Sequence, residues 1–548
     1  MKNQITVKTF IFLFLASIIA GNGIFAQSNN NAYVFNGESS YVGILDGDAL
    51  TANADQTAYQ YFDNPAFTNN SISVESWVYL IGESPGVKMP IIYRSFDGGY
   101  ESFSLYIKDR VAYFTIGNGA GVVSTLSETP VPAFTWVHLV GTYDGQNLKF
   151  YYNGRLIQNV PITLGAGSNA GSGGLFIGKS EEGAFKGLID EVRIWRIALA
   201  DNNINKSGGS GTPSENYPQS LAPYLNGQWS FNEFSFFNGI KAVQDLSEYK
   251  NHLRVYDIDE IVNSKQPPFI VVNSTADDSD LQAGDGKADA GEGLVTFRAA
   301  IEEANALSGS QIIYFYIPGS APFMIQPGSA LPDITDQVVI DATTQSGYSG
   351  SPLVEISGAY GGLNITAGGS TVKGLVLNHS AGYGLSLSSG GGNSIADNKI
   401  AGILLSSSEN NIDGNVITNS FSDGVTISTA AENNRIGVSS GNEISANTGY
   451  GISILSASGN QLTNNTIHSN STGGVSVTNS TGTINENTIS SNSGLGIGLY
   501  SSTEFEITNN TIGTNASGGI SISNSTASIT GNSVTGKFQF RHIFRCCQ

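Results

Sequence analysis

From residue 395 to residue 534 the pattern Ile-x-x-Asn-x-Ile keeps returning. It stands at Ile395/Asn398/Ile400, Ile412/Asn415/Ile417, Leu462/Asn465/Ile467, Ile484/Asn487/Ile489, Ile507/Asn510/Ile512 and Ile529/Asn532/Val534, with Asn442 and Ile444 in the same slot. The last four intervals between these asparagines are 23, 22, 23 and 22 residues. A second pattern, Gly-apolar-x-apolar, keeps step at Gly424, Gly451, Gly474, Gly496 and Gly519. A fixed period of this length marks a stacked repeat. The apolar residues are spaced by two, which excludes a helical solenoid and predicts short strands whose alternate side chains face inward. One coil of ~22 residues cannot bury its apolar side alone, whereas coils stacked at about 4.8 Å can. Isoleucine then stacks on isoleucine. Asparagine recurs where the chain turns, and its amide can bond to the asparagine of the next coil. Parallel crossovers are right-handed. A right-handed parallel β-helix is therefore expected over 353–534.

A rod of coils needs caps, because its open ends expose unpaired strand edges. Residues 296–306 supply a candidate helix. Phe297, Ala300, Ile301 and Ala304 form one apolar stripe, with Arg298, Glu302 and Glu303 off it. This makes 269–352 the N-terminal cap region. After Val534 the pattern stops. The tail 535–548 holds Phe538, Phe540, Arg541, His542, Phe544 and Arg545, and both cysteines of the chain, Cys546 and Cys547. Two readings stand: an atypical C-terminal cap, or a truncated or frameshifted gene whose continuation is missing.

Composition narrows the function classes. The 548 residues carry a formal charge of −20, which argues against a nucleic-acid partner and suits divalent cations. Lys2 and Lys8 precede an apolar run over 10–20, and small residues lead to Ala26-Gln27. That is the layout of a signal peptide over 1–26, so the mature chain is expected to be secreted or on a bacterial cell surface. No later segment is apolar and long enough to span a bilayer. The body holds no disulfide despite export.

Residues 31–201 look all-β. Residues 72–79 (ISVESWVY) alternate apolar and polar, as a half-buried strand does. Residues 136–143 do much the same and turn at Asp144-Gly145, and 148–152 turn at Asn153-Gly154. These dipeptides between alternating runs are hairpin signals, so an antiparallel two-sheet sandwich follows. Residues 202–268 are less regular and read as a linker with an accessory strand. The fold class expected for the whole is all-β: an antiparallel jelly-roll sandwich, then a right-handed parallel β-helix solenoid with one N-terminal capping helix.

Three ordered motifs carry a resemblance. Tyr33-Val34-Phe35-Asn36-Gly37 with Tyr41-Val42 resembles the opening strand of laminin-G-like, concanavalin A-like jelly rolls. Residues 136–140 with Tyr151-Tyr152-Asn153-Gly154 resemble that family's central hairpin, and 185–195 its closing strand. The resemblance implies recognition of glycans or surface proteins, and a structural calcium ion near Asp190 and Asn36. Residues 294–306 are similar to the Cys-Ser-Leu-Arg-Glu-Ala-Ile cap of bacterial surface β-helix proteins, as are 331–334 and 340–348. Val295 stands where that family has cysteine, which removes any thiol function.

Few residues offer catalytic chemistry. Polysaccharide-cleaving β-helices need carboxylates, or a basic residue with calcium, gathered on one face. Asp397 and Asp413 lie on neighbouring coils but in different slots, and His379 and His468 are isolated. The jelly roll shows no paired glutamates of the glycosidase kind. Tyr93, Tyr100 and Tyr106 are candidates for stacking on sugars, with a packing role as the alternative. The acidic stretch with Asp278, Asp280, Asp285, Asp289 and Glu292 is oxygen-rich and glycine-bent. It suits either a calcium loop or a solvated loop, because its spacing is not that of an EF-hand. The expected function is a modular binding protein whose partner is an extracellular polysaccharide or a surface protein. The alternatives are a polysaccharide lyase or hydrolase using the β-helix groove, and a structural adhesin stalk.

Overall fold

The structure, a computed structural model, describes residues 31–547 apart from 45–70, 83–84, 96–100, 118–121, 163–173, 209–212, 214–216, 238–239, 248–250, 259–260, 264–268, 381, 536–537 and 542–545. The expected signal peptide and Tyr100 lie outside the described residues.

Two antiparallel sheets form the N-terminal sandwich. Among the described residues the first runs Arg155–Pro161, Asn147–Tyr152, Trp136–Tyr143, Ile72–Leu80, Lys186–Trp195, Asn31–Asn36, Ile261–Asn263, with Leu225–Trp229 also paired to Lys186–Trp195. The second runs Ser235–Phe237, Ile240–Val243, Leu253–Tyr256, Tyr41–Ile44, Leu175–Ile177, Lys88–Ser95, Glu101–Lys108, Val111–Gly117, Val122–Leu126. Between them Tyr33, Val74, Ile92, Leu105, Phe114, Leu139, Phe150, Ile189 and Trp229 form one buried core. The stretch read from sequence as a linker supplies five of these strands, from Leu225–Trp229 to Ile261–Asn263, so it belongs to the sandwich.

One expectation needs correction here. Ile72–Leu80 is buried at every position, not on alternate ones. The outer face of its sheet is covered. Leu199, Ile204, Tyr217, Leu221 and Leu225 pack on Val140, Tyr151 and Trp195. Phe269 and Tyr314, from the next domain, pack with Tyr79, Trp136 and Phe134. The alternation in the sequence is chemical, but both faces are inside.

The C-terminal domain is a parallel coil with three faces, of twelve, ten and nine strands among the described residues. On the first face Ile412, Ile436, Leu462, Ile484, Ile507 and Ile529 stand in register. On the second, Ile417, Ile444, Ile467, Ile489, Ile512 and Val534 do the same. The asparagine ladder exists and is longer than its clearest repeats: each side chain from Asn398 through Asn415, Asn442, Asn465, Asn487 and Asn510 donates to the next, ending on Asn532. Two more ladders line other corners, Asn393–Asn410–Asn434–Asn460 and Asn447–Asn470–Asn492–Asn515.

The solenoid begins earlier than residue 353. Phe269–Val272 already pairs in parallel with Gln311–Phe315, which pairs with Val338–Asp341. The cap region therefore forms the first coils. Its helix spans Phe297–Ala306, with Thr296 as N-cap accepting from the Ala299 N–H at 3.0 Å. In the tail, Phe538–Arg541 and Cys546–Cys547 extend two faces as parallel strands.

Candidate functional site

The outer face of the second sandwich sheet gathers chemistry that the rest of the sandwich buries. Side chains alternate across a strand. Val42, Ile92, Leu105 and Phe114 point into the core, so their neighbours point out. Across the strands this places Tyr256 beside Tyr41, Phe176 beside Tyr93, and Ser104 beside Tyr93 and Thr115. Tyr106 faces Tyr113. The rings are ordered against each other. Tyr41 and Tyr256 stack at 4.3 Å with planes 9° apart, and Tyr106 and Tyr113 at 4.9 Å and 10°. Gly43 makes room for Phe176: a Cβ there would lie 2.5 Å from its Cδ1.

Cations lie over these rings. Lys179 Nζ is 4.5 Å from the Tyr41 ring centre and Lys88 Nζ is 4.4 Å from that of Tyr106. Lys88 also bonds Glu101 at 2.9 Å and Glu182 at 3.1 Å. Burial works against its ammonium, but the two carboxylates outweigh it and hold its pKa above the ordinary value. Glu101 accepts further from the Ser104 and Thr115 hydroxyls. Burial, then Glu101, pushes the Tyr106 phenol up to about 12. Tyr41, Tyr93, Ser95, Phe176, Lys179, Ser180 and Glu181 line a shallow cleft of ≈ 220 Å³ in this face. The Tyr41 and Tyr106 rings are thus covered on one face by a tyrosine and on the other by an ammonium, and Tyr93 is buried, so the half-buried Phe176, Tyr113 and Tyr256 are the rings this surface offers for stacking.

Of the stacking candidates read from sequence, Tyr93 and Tyr106 are on this face, but Tyr93 is buried and takes the packing role while Tyr106 is half-buried. Tyr41, Phe176, Tyr113 and Tyr256 were missed. Their strands come from four separate parts of the chain, so no local window joins them. A larger hollow of ≈ 480 Å³ opens at the domain junction, between Phe134, Phe269, Tyr316, Asn273, Lys287 and Asp289. Two of its polar side chains are engaged locally: Asn273 accepts from Val295 and donates to Gly293, and Asp289 accepts from Gly291.

The residues proposed for calcium do not assemble. Asn36 Oδ1 accepts from the backbone of Glu38, Ser39 and Ser40, closing its own turn. Asp190 is buried and accepts from the Glu191 N–H at 2.8 Å. Asn36 pairs with Lys186, four residues along the strand from Asp190, about 13 Å at strand spacing. In the acidic loop, Asp280 Oδ1 accepts from Gln282 and Asp285 from Lys287. Asp278 offers its backbone carbonyl to Thr296, and Glu292 is exposed. Among the described residues no three His, Cys, Asp or Glu side chains converge on a point that would hold a metal ion. The loop is organised by the cap helix. Glu303 accepts from the Gly284 and Gly286 N–H groups, and Arg298 pairs with Asp277 at 2.9 Å. These two helix residues, off the apolar stripe in the sequence, are buried because the loop wraps them.

A second constellation is fully enclosed. Glu75 meets His138 Nε2 at 3.0 Å, Trp195 Nε1 at 2.9 Å and Arg193 at 3.4 Å, and Arg193 also bonds Glu191 at 2.6 Å. Glu75, His138 and Arg193 side chains are 0 % exposed. The types suit acid–base chemistry, but no substrate reaches them. On the coils, Asp413 caps the Ser439 N–H, and Glu443 lies 3.5 Å from His468.

Comparison with known proteins agrees with this architecture. Residues 54–205 match the concanavalin A-like lectin/glucanases superfamily, a laminin-G type domain, and residues 401–540 match the right handed beta helix region family. The chain therefore carries a laminin-G-like, concanavalin A-like domain followed by a right-handed parallel β-helix. No curated protein matches it. Among solved structures it is similar to a protein of Bacteroides ovatus at 15% identity, covering 44% of this chain and 61% of that one, TM-score 0.30. It is also similar to the SAP-like pentraxin of Limulus polyphemus at 12% identity, covering 36% and 89%, TM-score 0.26. The mouse laminin α1 chain domains LG4-5 match at 11% identity, covering 31% and 44%, TM-score 0.22. No described helix is long and apolar enough to cross a membrane.

Proposed function

We propose that this is an extracellular glycan-binding protein whose jelly roll does the recognising and whose β-helix carries it. The observation that carries the reading is the aromatic row on the outer face of the second sandwich sheet, with its cleft at Tyr41, Tyr93 and Phe176. The superfamily match of the domain supports it. Sugar rings have apolar faces that stack on aromatic rings and hydroxyls that bond to Lys179, Ser180 and Glu181. Secretion fits the N-terminal leader pattern. The observations favour binding over catalysis: Asp413 caps a turn, Glu443 is paired with His468 without a second carboxylate, and the Glu75 group is enclosed.

A glycan array with the full chain tests this. Tyr41→Ala and Phe176→Ala are each expected to weaken the glycans bound by about tenfold, some 1.4 kcal/mol, with unchanged thermal midpoints. Silence of the wild-type chain on every glycan, or full binding by both variants, sinks the proposal.

A further inference from the structure

We propose that the β-helix has a glycan-binding surface of its own, for a neutral extended polysaccharide lying along the solenoid axis. The surface is the corner leading into the third face, built by Tyr360, Tyr383, Phe421, Asp423 and Tyr450. None of these residues belongs to the jelly-roll face, so this proposal stands or falls separately.

Strand register puts Tyr383, Asp423 and Tyr450 in one column, with Tyr360 and Phe421 in the turns just before it. Leu363, Leu385, Ile403, Val425 and Ile452 are cross-strand partners on the third face. Tyr383, Asp423 and Tyr450 each precede their member of that row by two residues, and Tyr360 precedes its own by three. Tyr383 and Tyr450 are thus three rungs apart, about 14 Å. Phe421 and Tyr360 are 65% and 46% exposed. Four aromatic side chains near one edge of the solenoid, two of them among its few exposed large apolar residues, form an apolar stripe. In the next three coils the column holds Gly473, Leu495 and Gly518, so the stripe is confined to the early coils.

The rings are seated. Tyr450 lies against the bare backbone of Gly473, where a Cβ would come within 2.9 Å of its Cε1. Tyr383 lies against Gly402 in the same way, with a Cβ 3.1 Å from its Cδ1. The Tyr383 hydroxyl meets the Thr426 Oγ1 at 2.8 Å, and Thr426 reaches Asp423 Oδ2 at 3.4 Å. Asp423 Oδ1 accepts from the Tyr450 N–H at 2.7 Å. Glycine below, hydroxyls beside and a carboxylate between hold the two tyrosines in place.

The chemistry selects the occupant. A rung of about 4.8 Å is close to the length of one pyranose unit in an extended chain. A polysaccharide along the axis therefore meets the coils roughly one sugar per rung, stacking at Tyr383 and Tyr450. The half-exposed Asp423 accepts from sugar hydroxyls between them. A polyuronate would meet that carboxylate and a chain of net charge −20, and like charges repel. A neutral polysaccharide meets neither penalty.

The test uses the full chain carrying Tyr41→Ala and Phe176→Ala, which together are expected to weaken the jelly-roll cleft about a hundredfold. Its retardation is measured in native gels containing soluble β-1,4-glucan, β-1,4-mannan, β-1,4-xylan or polygalacturonate. We expect retardation by at least one neutral polymer and none by polygalacturonate. Adding Tyr383→Ala and Tyr450→Ala is expected to weaken the retardation at least tenfold, with unchanged circular dichroism. Asp423→Asn is expected to lessen discrimination against polygalacturonate. No retardation by any neutral polymer, retention of it in the tyrosine variants, or stronger retardation by polygalacturonate overturns the proposal.

Discussion

Glu75→Gln is expected to lower the unfolding free energy of the sandwich by about 3–5 kcal/mol, the cost of breaking a buried ion pair by removing one partner. Denaturant unfolding of the full chain, followed by tryptophan fluorescence, measures it. Glu75 is enclosed with Arg193, His138 and Trp195, all donors toward it. Glutamine keeps the shape but turns an amide group on these donors and leaves Arg193 with Glu191 as its remaining carboxylate here. The same group sets an acid limb. Burial opposes the charged form, but the His138 and Arg193 contacts outweigh it and bring the Glu75 pKa from 4.5 to about 2. The folded pKa lies below the unfolded one, so the unfolded chain takes the proton first. The stabilisation is complete above pH 4.5 and is lost as pH falls toward 2. Glu75→Gln is expected to flatten stability across that window. A loss below about 1 kcal/mol would place Glu75 with ordinary surface pairs instead.

The second large effect is expected in the solenoid. Asn465→Leu removes an amide that accepts from the Asn442 backbone and side chain and donates to Ile436, Thr463 and Asn487. Leucine is close in size, so the loss is one of partners rather than volume. Each buried group left unpaired costs about 1–3 kcal/mol, which sums to several kcal/mol here. Because coils contact only their neighbours, hydrogen exchange should quicken around residues 436–487 and leave the sandwich unchanged. Asn532→Leu, at a partly exposed ladder end, is expected to cost about 1 kcal/mol. Equal costs at the two positions would mean that the ladder is not what binds coil to coil.

Much of this was legible in the sequence because the repeat writes the same contact many times. Ile-x-x-Asn-x-Ile names both the stacked apolar row and the corner amide, and both appear where the spacing put them. The cap helix was legible for a related reason: its stripe at Phe297, Ala300, Ile301 and Ala304 is a local period. Of the other two asparagine ladders, Asn393–Asn410–Asn434 was hidden by irregular intervals of 17 and 24 residues, whereas Asn447–Asn470–Asn492–Asn515 keeps the regular 23, 22 and 23 and lies outside the Ile-x-x-Asn-x-Ile pattern. The aromatic face of the second sheet was the least legible, since Tyr41, Tyr93, Phe176 and Tyr256 come together by strand pairing alone.

By itself, then, the sequence determined period, strand alternation and turn chemistry, and with them a sandwich followed by a parallel coil, whose right hand came from the general rule for parallel crossovers and from resemblance. These are local or repeated properties, and each is visible in a window of one coil or one hairpin. Only the tertiary structure decided which faces water. Ser73, Glu75 and Trp77 read as the outer side of a half-buried strand, yet they are enclosed, because the chain after Trp195 and the first coils of the solenoid cover them. It also decided that Asp190 and Asn36 stand apart on one strand pair, and that the segment after residue 202 completes the sandwich. Covering and long-range pairing are relations between distant segments, and no residue pattern encodes them until the chain has folded.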